Sequence, residues 1–291
     1  MMKDEYIEHD HDEDTAEVFA PAKVNLTLHV TGRRDDGYHL LDSLVMFADI
    51  GDTLTVRRAD RTTLEMTGPM ADKTPQGDDN LVIRAANLMG VTAHITLDKR
   101  LPIAAGIGGG SSDAAATLRA LSKLTGQQIP DDVLPLGADA KVCCAADSGA
   151  ARMRGIGDRV TPASGLPQLH AVLVNPNLQV CTADVFAKLA NRENAPMPDT
   201  LPTGCDAGEL IAWLEQQRND LQAPAMAFEP AIEQVFRALE VTPGCLLTRM
   251  SGSGGTCFGL YGDAETAASA AGRLQESHAG WWVEAARLNA T

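Results

Sequence analysis

At 291 residues the chain is longer than a typical single domain, so two domains of modest size are expected. It is 44% hydrophobic but only 4% aromatic, a composition for cores of Ala, Val, Leu and Ile, and no apolar run approaches the ~20 residues of a membrane-spanning helix. The formal net charge of −15 argues against a nucleic-acid-binding protein, so an anionic ligand would have to be collected by local donors.

The first 17 residues hold eight acids and one lysine. Residues 1–16 are expected to form a disordered acidic tail, and they lack the basic patch and apolar stretch of a secretory signal. His9 and His11 lie among Asp10, Asp12 and Asp14, a pattern compatible with divalent metal capture or with a plain solvated tail. Residues 23–30, KVNLTLHV, alternate cleanly. They predict a strand with Val24, Leu26, Leu28 and Val30 on one face and Lys23, Asn25, Thr27 and His29 on the other. Lys23 and Asn25 then project together, roughly 7 Å apart along the strand, although an ordinary solvated strand face has the same pattern. Further strands are predicted at 53–57, 63–66 and 94–97, with a helix over 80–89.

The stretch from Pro102 to Ala116, PIAAGIGGGSSDAAA, joins a glycine-rich loop to a helix start. Gly106, Gly108, Gly109 and Gly110 can bring main-chain N–H groups against an anion, and Ser111 and Ser112 offer hydroxyls and caps. Apolar residues at 114, 115, 118, 121 and 124 form a helical stripe that stops at Gly126. The helix N-terminus, with its free N–H groups and positive dipole end, favours phosphate. A merely flexible loop is the competing reading. No Lys-Ser or Lys-Thr follows the last glycine, His-Arg-Asp and Asp-Phe-Gly are absent, and Ser111 stands at the third glycine position of a Rossmann fingerprint. A looser nucleotide loop remains. Asp139 follows Gly137-Ala138 and reads either as a functional carboxylate or as a capping residue.

In the second half a strand is predicted at 169–174, helices at 183–190, 207–217 and 231–239, and a Pro-rich loop at 195–202. A Ser-Gly-Ser-Gly-Gly turn, a strand at 257–261, a helix at 264–275 and a strand at 281–285 give a βαβ-like close. The expected fold is α+β, with domains at 17–166 and 167–291 and a cleft between them that holds both substrates. The six cysteines show no CxxC spacing and Cys143 adjoins Cys144, as in a reduced, cytoplasmic protein.

Three motifs occur in order between residues 19 and 261: Pro21 to Val30 followed by GRRDDGYHLLDS, Pro102 to Ser112, and Met250 to Tyr261. Together they resemble the GHMP small-molecule kinases. The pairing of Ala-Lys-x-Asn-Leu with Gly37-Tyr38-His39, and Gly137-Ala138-Asp139, is most similar to the branch that phosphorylates the 2-hydroxyl of 4-diphosphocytidyl-2-C-methyl-D-erythritol for non-mevalonate isoprenoid synthesis. The resemblance implies a ribosomal protein S5 domain 2-like N-terminal domain and a ferredoxin-like C-terminal domain. It implies ATP held by Pro102, Ile103, Ala104, Ala105, Gly106, Ile107, Gly108, Gly109, Gly110, Ser111 and Ser112, and Lys23 and Asp139 as the catalytic pair. Asn25 would lie near the acceptor, with Tyr38 and His39 on one side of the cytosine and Thr182 and Phe186 on the other; Phe186 also reads as a core residue of the second domain. Mg²⁺ is expected with ATP. No carboxylate cluster identifies its ligands, and Ser112 and Asp113 are the nearest candidates. The chain departs from the family at Asp139-Ala140-Lys141, where relatives commonly continue Asp-Val-Pro; Lys141 adds a charge able to contact a phosphate or lower the proton affinity of Asp139. Another GHMP kinase, or a non-catalytic nucleotide-binding relative, is the alternative. No nucleic-acid or membrane partner is expected, and monomer and homodimer both stay open.

Overall fold

The computed structural model describes residues 14–290. The His9 and His11 reading, and the acidic tail apart from its last residues, lie outside them. The chain order is β1 (Thr15–Asn25), β2 (His29–Arg33), β3 (His39–Arg58), β4 (Thr63–Thr67), α1 (Leu81–Met89), β5 (Ala93–Asp98), α2 (Gly109–Thr125), α3 (Ala140–Cys144), β6 (Ala150–Gly155) and β7 (Arg159–Pro162). It continues with β8 (Leu169–Asn175), α4 (Thr182–Ala187), α5 (Ala207–Glu215), α6 (Gln222–Phe228), α7 (Pro230–Glu240), β9 (Cys245–Met250), β10 (Cys257–Tyr261), α8 (Ala264–Ser277) and β11 (Trp282–Leu288). β1 begins at Thr15, which pairs with Arg57, so Thr15 and Ala16, assigned to the tail from the sequence, belong to the first strand.

The long strand β3 organises the first half. It pairs with β2 and β6 near its start and with β1 and β5 near its end, while β4 lies parallel to β5 across the α1 crossover. The sequence predicted only residues 53–57 of it. Residues 44–48, LVMFA, are all buried, so the strand lacks the alternation that would have marked it. Helix α2 covers the sheet with Ala114, Ala115, Leu118, Leu121 and Leu124 on its buried side, the predicted stripe, and ends at left-handed Gly126.

In the second half the strand order is β11-β8-β10-β9, all antiparallel. Numbered within that half the order is 4-1-3-2, the ferredoxin-like split βαβ arrangement, with α7 and α8 packed on the sheet. The two halves are joined at the Leu288–Ala48 pair of β11 and β3.

The predicted 23–30 strand is divided. Leu26 and Thr27 both donate to the Leu44 carbonyl, and Leu28 then pairs with the second half, its N–H on Arg218 O at 2.9 Å and its carbonyl accepting from Asp220 N at 2.9 Å. Its polar face is not solvated. Lys23, Asn25, Thr27 and His29 are all buried: Asn25, Thr27 and His29 bond to Ser251, Met197 and Ala195 of the second half, and Lys23 lies under Asp139.

Candidate active site

Where the halves meet, the glycine loop and the Ser251–Gly255 loop interlock backbone to backbone. A Cβ on Gly252 would lie 2.6 Å from Gly106 O, and one on Gly106 would lie 2.6 Å from Gly254 O. The Asn25 N–H donates to Ser251 Oγ (3.0 Å), which donates to Gly106 O (2.9 Å), and Thr256 N–H donates to Ala105 O (3.0 Å). Ser251, which the sequence reading placed in a turn and in the third motif without a role of its own, is therefore a site-building residue.

The chain enters α2 through Gly106 and Gly108 at φ of +73° and +66° and through Ala104 at +48°, a strained value for a residue with a Cβ. Gly108 is the N-cap, so neither serine caps the helix. Gly109, Gly110 and Ser111, whose N–H groups lack intrahelical partners, line a cavity of about 340 Å³. Ala104, Ala105, Gly106 and Gly108 also line it, whereas Pro102, Ile103, Ile107 and Ser112 do not. Ile107 is core, though its carbonyl accepts from Lys23 N–H at 2.9 Å. Ser112 is fully buried and donates to Pro21 O at 2.7 Å, so its hydroxyl is not free for phosphate.

Lys23 Nζ stands between two acceptors, Asp139 Oδ2 and Asn25 Oδ1, each at 2.9 Å. Asn25 is fixed in turn by donating Nδ2 to Ser43 Oγ at 2.8 Å. Lys23 is 3% exposed in its side chain and Asp139 33%, so the cation is buried under a carboxylate that faces the cavity. Asp139 precedes α3 but makes no capping bond. Lys141 is exposed and outside the cavity lining. Behind the pair lies Cys143, whose thiol is pushed up by burial and by the neighbouring Asp139 carboxylate, and stays protonated.

Neither predicted metal ligand fits a cation. Asp113 is buried and receives Lys99 Nζ at 2.7 Å; the same Nζ also donates to Asp52. Asp52 Oδ1 accepts from Arg100 and Leu101 N–H groups, while Asp113 Oδ1 has no partner among the described residues. One cation cannot neutralise both carboxylates, and burial pushes Asp113 up to about 8. Burial opposes the Lys99 charge, but the two carboxylates outweigh it and its proton affinity is raised. Among the described residues Asp139 is the sole carboxylate lining the 340 Å³ cavity, and no cluster of three metal-ligating side chains occurs.

Leu41, Ala138, Thr182 and Phe186 are shared with a second cavity, of about 630 Å³, which Tyr38 and His39 also line. His39 stacks directly on Phe186, centroids 4.5 Å apart at 21°, so the two rings do not flank an open slot as the sequence reading placed them. Tyr38 is 55% exposed, and Phe186 is half-buried, lining this cavity while it packs against the second-half core. Thr182 Oγ1 is 2.8 Å from Ser253 Oγ, a hydroxyl of the second glycine loop.

The chain matches the GHMP kinases N terminal domain over residues 80–155 and the GHMP kinases C terminal domain over residues 206–280. It is 53% identical over 276 residues to 4-diphosphocytidyl-2-C-methyl-D-erythritol kinase of Cereibacter sphaeroides, covering 94% of this chain and 99% of that one. The chain belongs to the GHMP kinase family. This GHMP kinase is also 49% identical to the Roseobacter denitrificans protein of the same name, over 94% and 93% of the two chains. A crystal structure of 4-(cytidine 5'-diphospho)-2C-methyl-D-erythritol kinase superposes with TM-score 0.75 at 34% identity, covering 94% of this chain and 99% of that one. Homoserine kinase from Cytophaga hutchinsonii, 17% identical with TM-score 0.65 over 97% of each chain, shares the fold. The two-part α+β architecture is thus the GHMP kinase fold, and ATP is the family's co-substrate. No helix among the described residues is long and apolar enough to cross a membrane.

Proposed function

We propose that this GHMP kinase transfers the γ-phosphoryl group of ATP to the 2-hydroxyl of 4-diphosphocytidyl-2-C-methyl-D-erythritol, a cytoplasmic step of non-mevalonate isoprenoid precursor synthesis. The observation that carries the reading is the Lys23–Asp139 pair, placed in the loop cavity where it adjoins the aromatic one. Relatives about half identical over nearly the whole chain bear the name of that enzyme.

Phosphoryl transfer demands positioning and charge stabilisation more than covalent participation. Asp139 accepts the proton of the attacking hydroxyl as the new O–P bond forms and the bond to the ADP oxygen breaks. The Lys23 ammonium holds Asp139 in place, and stabilises charge developing on the acceptor oxygen. Asn25 and Ser43 fix that ammonium. The N–H groups of Gly109, Gly110 and Ser111, with the α2 dipole, meet the ATP phosphates. Mg²⁺ would be carried in on those phosphates; Ser112 and Asp113 are not assigned to it. Tyr38, His39, Thr182 and Phe186 receive the cytidine end. The histidine is kept neutral, its proton affinity lowered by burial and then by Arg33 and Arg192. The test is incubation with ATP, Mg²⁺ and the cytidylyl substrate, followed by phosphorus NMR. A new phosphomonoester resonance alongside ADP is expected. Its absence, with phosphorylation of homoserine or mevalonate instead, would overturn the assignment.

A further inference from the structure

The 630 Å³ cavity carries a charge pattern opposite to that of the protein. Arg33 and Arg192 both line it and, among the described residues, no carboxylate does, although the chain has a net charge of −15. The nearby acid Asp36 is paired with Arg34 at 2.7 Å. Arg33 Nε donates to Gly37 O at 3.2 Å, a contact that orients the guanidinium without neutralising it. The field of both arginines reaches His39, whose proton affinity falls through burial, then Arg33, then Arg192, with no carboxylate opposing them. An aromatic wall beside two uncompensated guanidinium groups is the complement of a base joined to an anion. The cavity then continues through Leu41, Ala138 and Thr182 toward Lys23 and Asp139.

We propose that Arg33 and Arg192 clasp the diphosphate bridge of the cytidylyl substrate, between the base held by the aromatic wall and the alcohol presented to Asp139. The assignment rests on the reading given under Proposed function. Guanidinium forks match phosphate oxygens bidentately, and two cations match the two charges of a diphosphate diester. The clasp selects for nucleotide over nucleoside and sets the register of the acceptor hydroxyl.

Cytidine, CMP and CDP are titrated calorimetrically into the wild type, Arg33→Gln, Arg192→Gln and the double variant, with steady-state kinetics in parallel. The preference for CDP over cytidine is expected to fall about 10-fold in each single variant and further in the double variant. KM for the cytidylyl substrate should rise in step while KM for ATP stays put. Cytidine binding at wild-type strength reports that the variants are folded, and Arg192→Lys should restore only part of the preference. An unchanged CDP-to-cytidine ratio overturns the clasp, as does a rise in the KM for ATP instead, which would give these cations to the other nucleotide. If the wild type does not turn over the cytidylyl substrate at all, the functional reading falls and the clasp with it. Normal turnover with an unaltered KM in both single variants refutes the clasp alone.

Discussion

Replacing Gly108 by Ala tests whether the glycine loop and Lys23 form one device. The residue sits at φ +66°, where a Cβ costs roughly 1–2 kcal/mol. That Cβ would also stand 3.1 Å from Lys23 Cε and 3.2 Å from Lys23 Cβ. The lysine cannot simply swing aside, since its Nζ is held at 2.9 Å by both Asp139 and Asn25. It must instead shift by a few tenths of an ångström. With a misplacement of 1 Å costing on the order of 10²-fold, kcat should fall about 10-fold. Thermal unfolding followed by circular dichroism should show a loss of a few °C. The control is Gly110→Ala: its φ is not left-handed, and its Cβ would meet only Leu81 Cδ1 at 3.4 Å. Helix propensity there should raise stability by up to about 1 kcal/mol. ADP release is measured with saturating ATP and a varied acceptor. A Gly108→Ala enzyme with wild-type kcat and Tm would refute the mechanical link between loop and lysine.

Asp139→Asn should lower kcat by about 10²-fold or more while ATP still binds, and combining it with Lys23→Ala should lose less than the product of the single effects; strictly multiplicative losses would mean the pair does not act as a unit. Tyr38→Ala should raise KM for the cytidylyl substrate about 5- to 150-fold by loss of base stacking, with little change in kcat or melting temperature. Phe186→Ala should do the same but also destabilise, because that ring packs on the second-half core; equal phosphorylation of a uridine analogue would dismiss cytosine recognition. Asp113 makes the pH dependence of stability specific. Its carboxyl is raised to about 8 when folded, against ~3.9 when unfolded, so its contribution is fully present below about pH 4 and lost as the pH climbs toward 8. Urea unfolding between pH 5 and 8 should give a flatter profile for Asp113→Asn than for the wild type, and an identical slope would show that Asp113 is ionised in the folded protein.

Local patterns were well preserved in the sequence. The stripe on α2 and its Gly126 stop, β8, β10 and the α8 close all rest on nearest-neighbour periodicity or turn chemistry, and the structure has them within a few residues. What went unread depends on contacts far along the chain. The division at Leu26–Leu28 is created by residues 218–220, and β3 is disguised because layers cover both of its faces. Ser112 and Asp113 looked available in a loop context, but Pro21 O and Lys99 claim them. Lys23 and Asp139 lie 116 residues apart, so only the family resemblance could pair them before the fold did. Asn25 was placed near the acceptor; that it braces the lysine depends on Ser43 and Ser251, whose positions no local pattern reveals.

The interlocked glycine loops bear on how the molecule comes apart. Each loop fills space that any side chain on the other would need, and β11 with Leu28 stitches the two sheets at further points. Neither half can melt without stripping the other of backbone partners and of the Ser251 contact on Asn25. The protein should accordingly lose its structure in a single calorimetric transition in which the van't Hoff and measured enthalpies coincide, and a fragment ending near residue 166 should not inherit the stability of the intact chain.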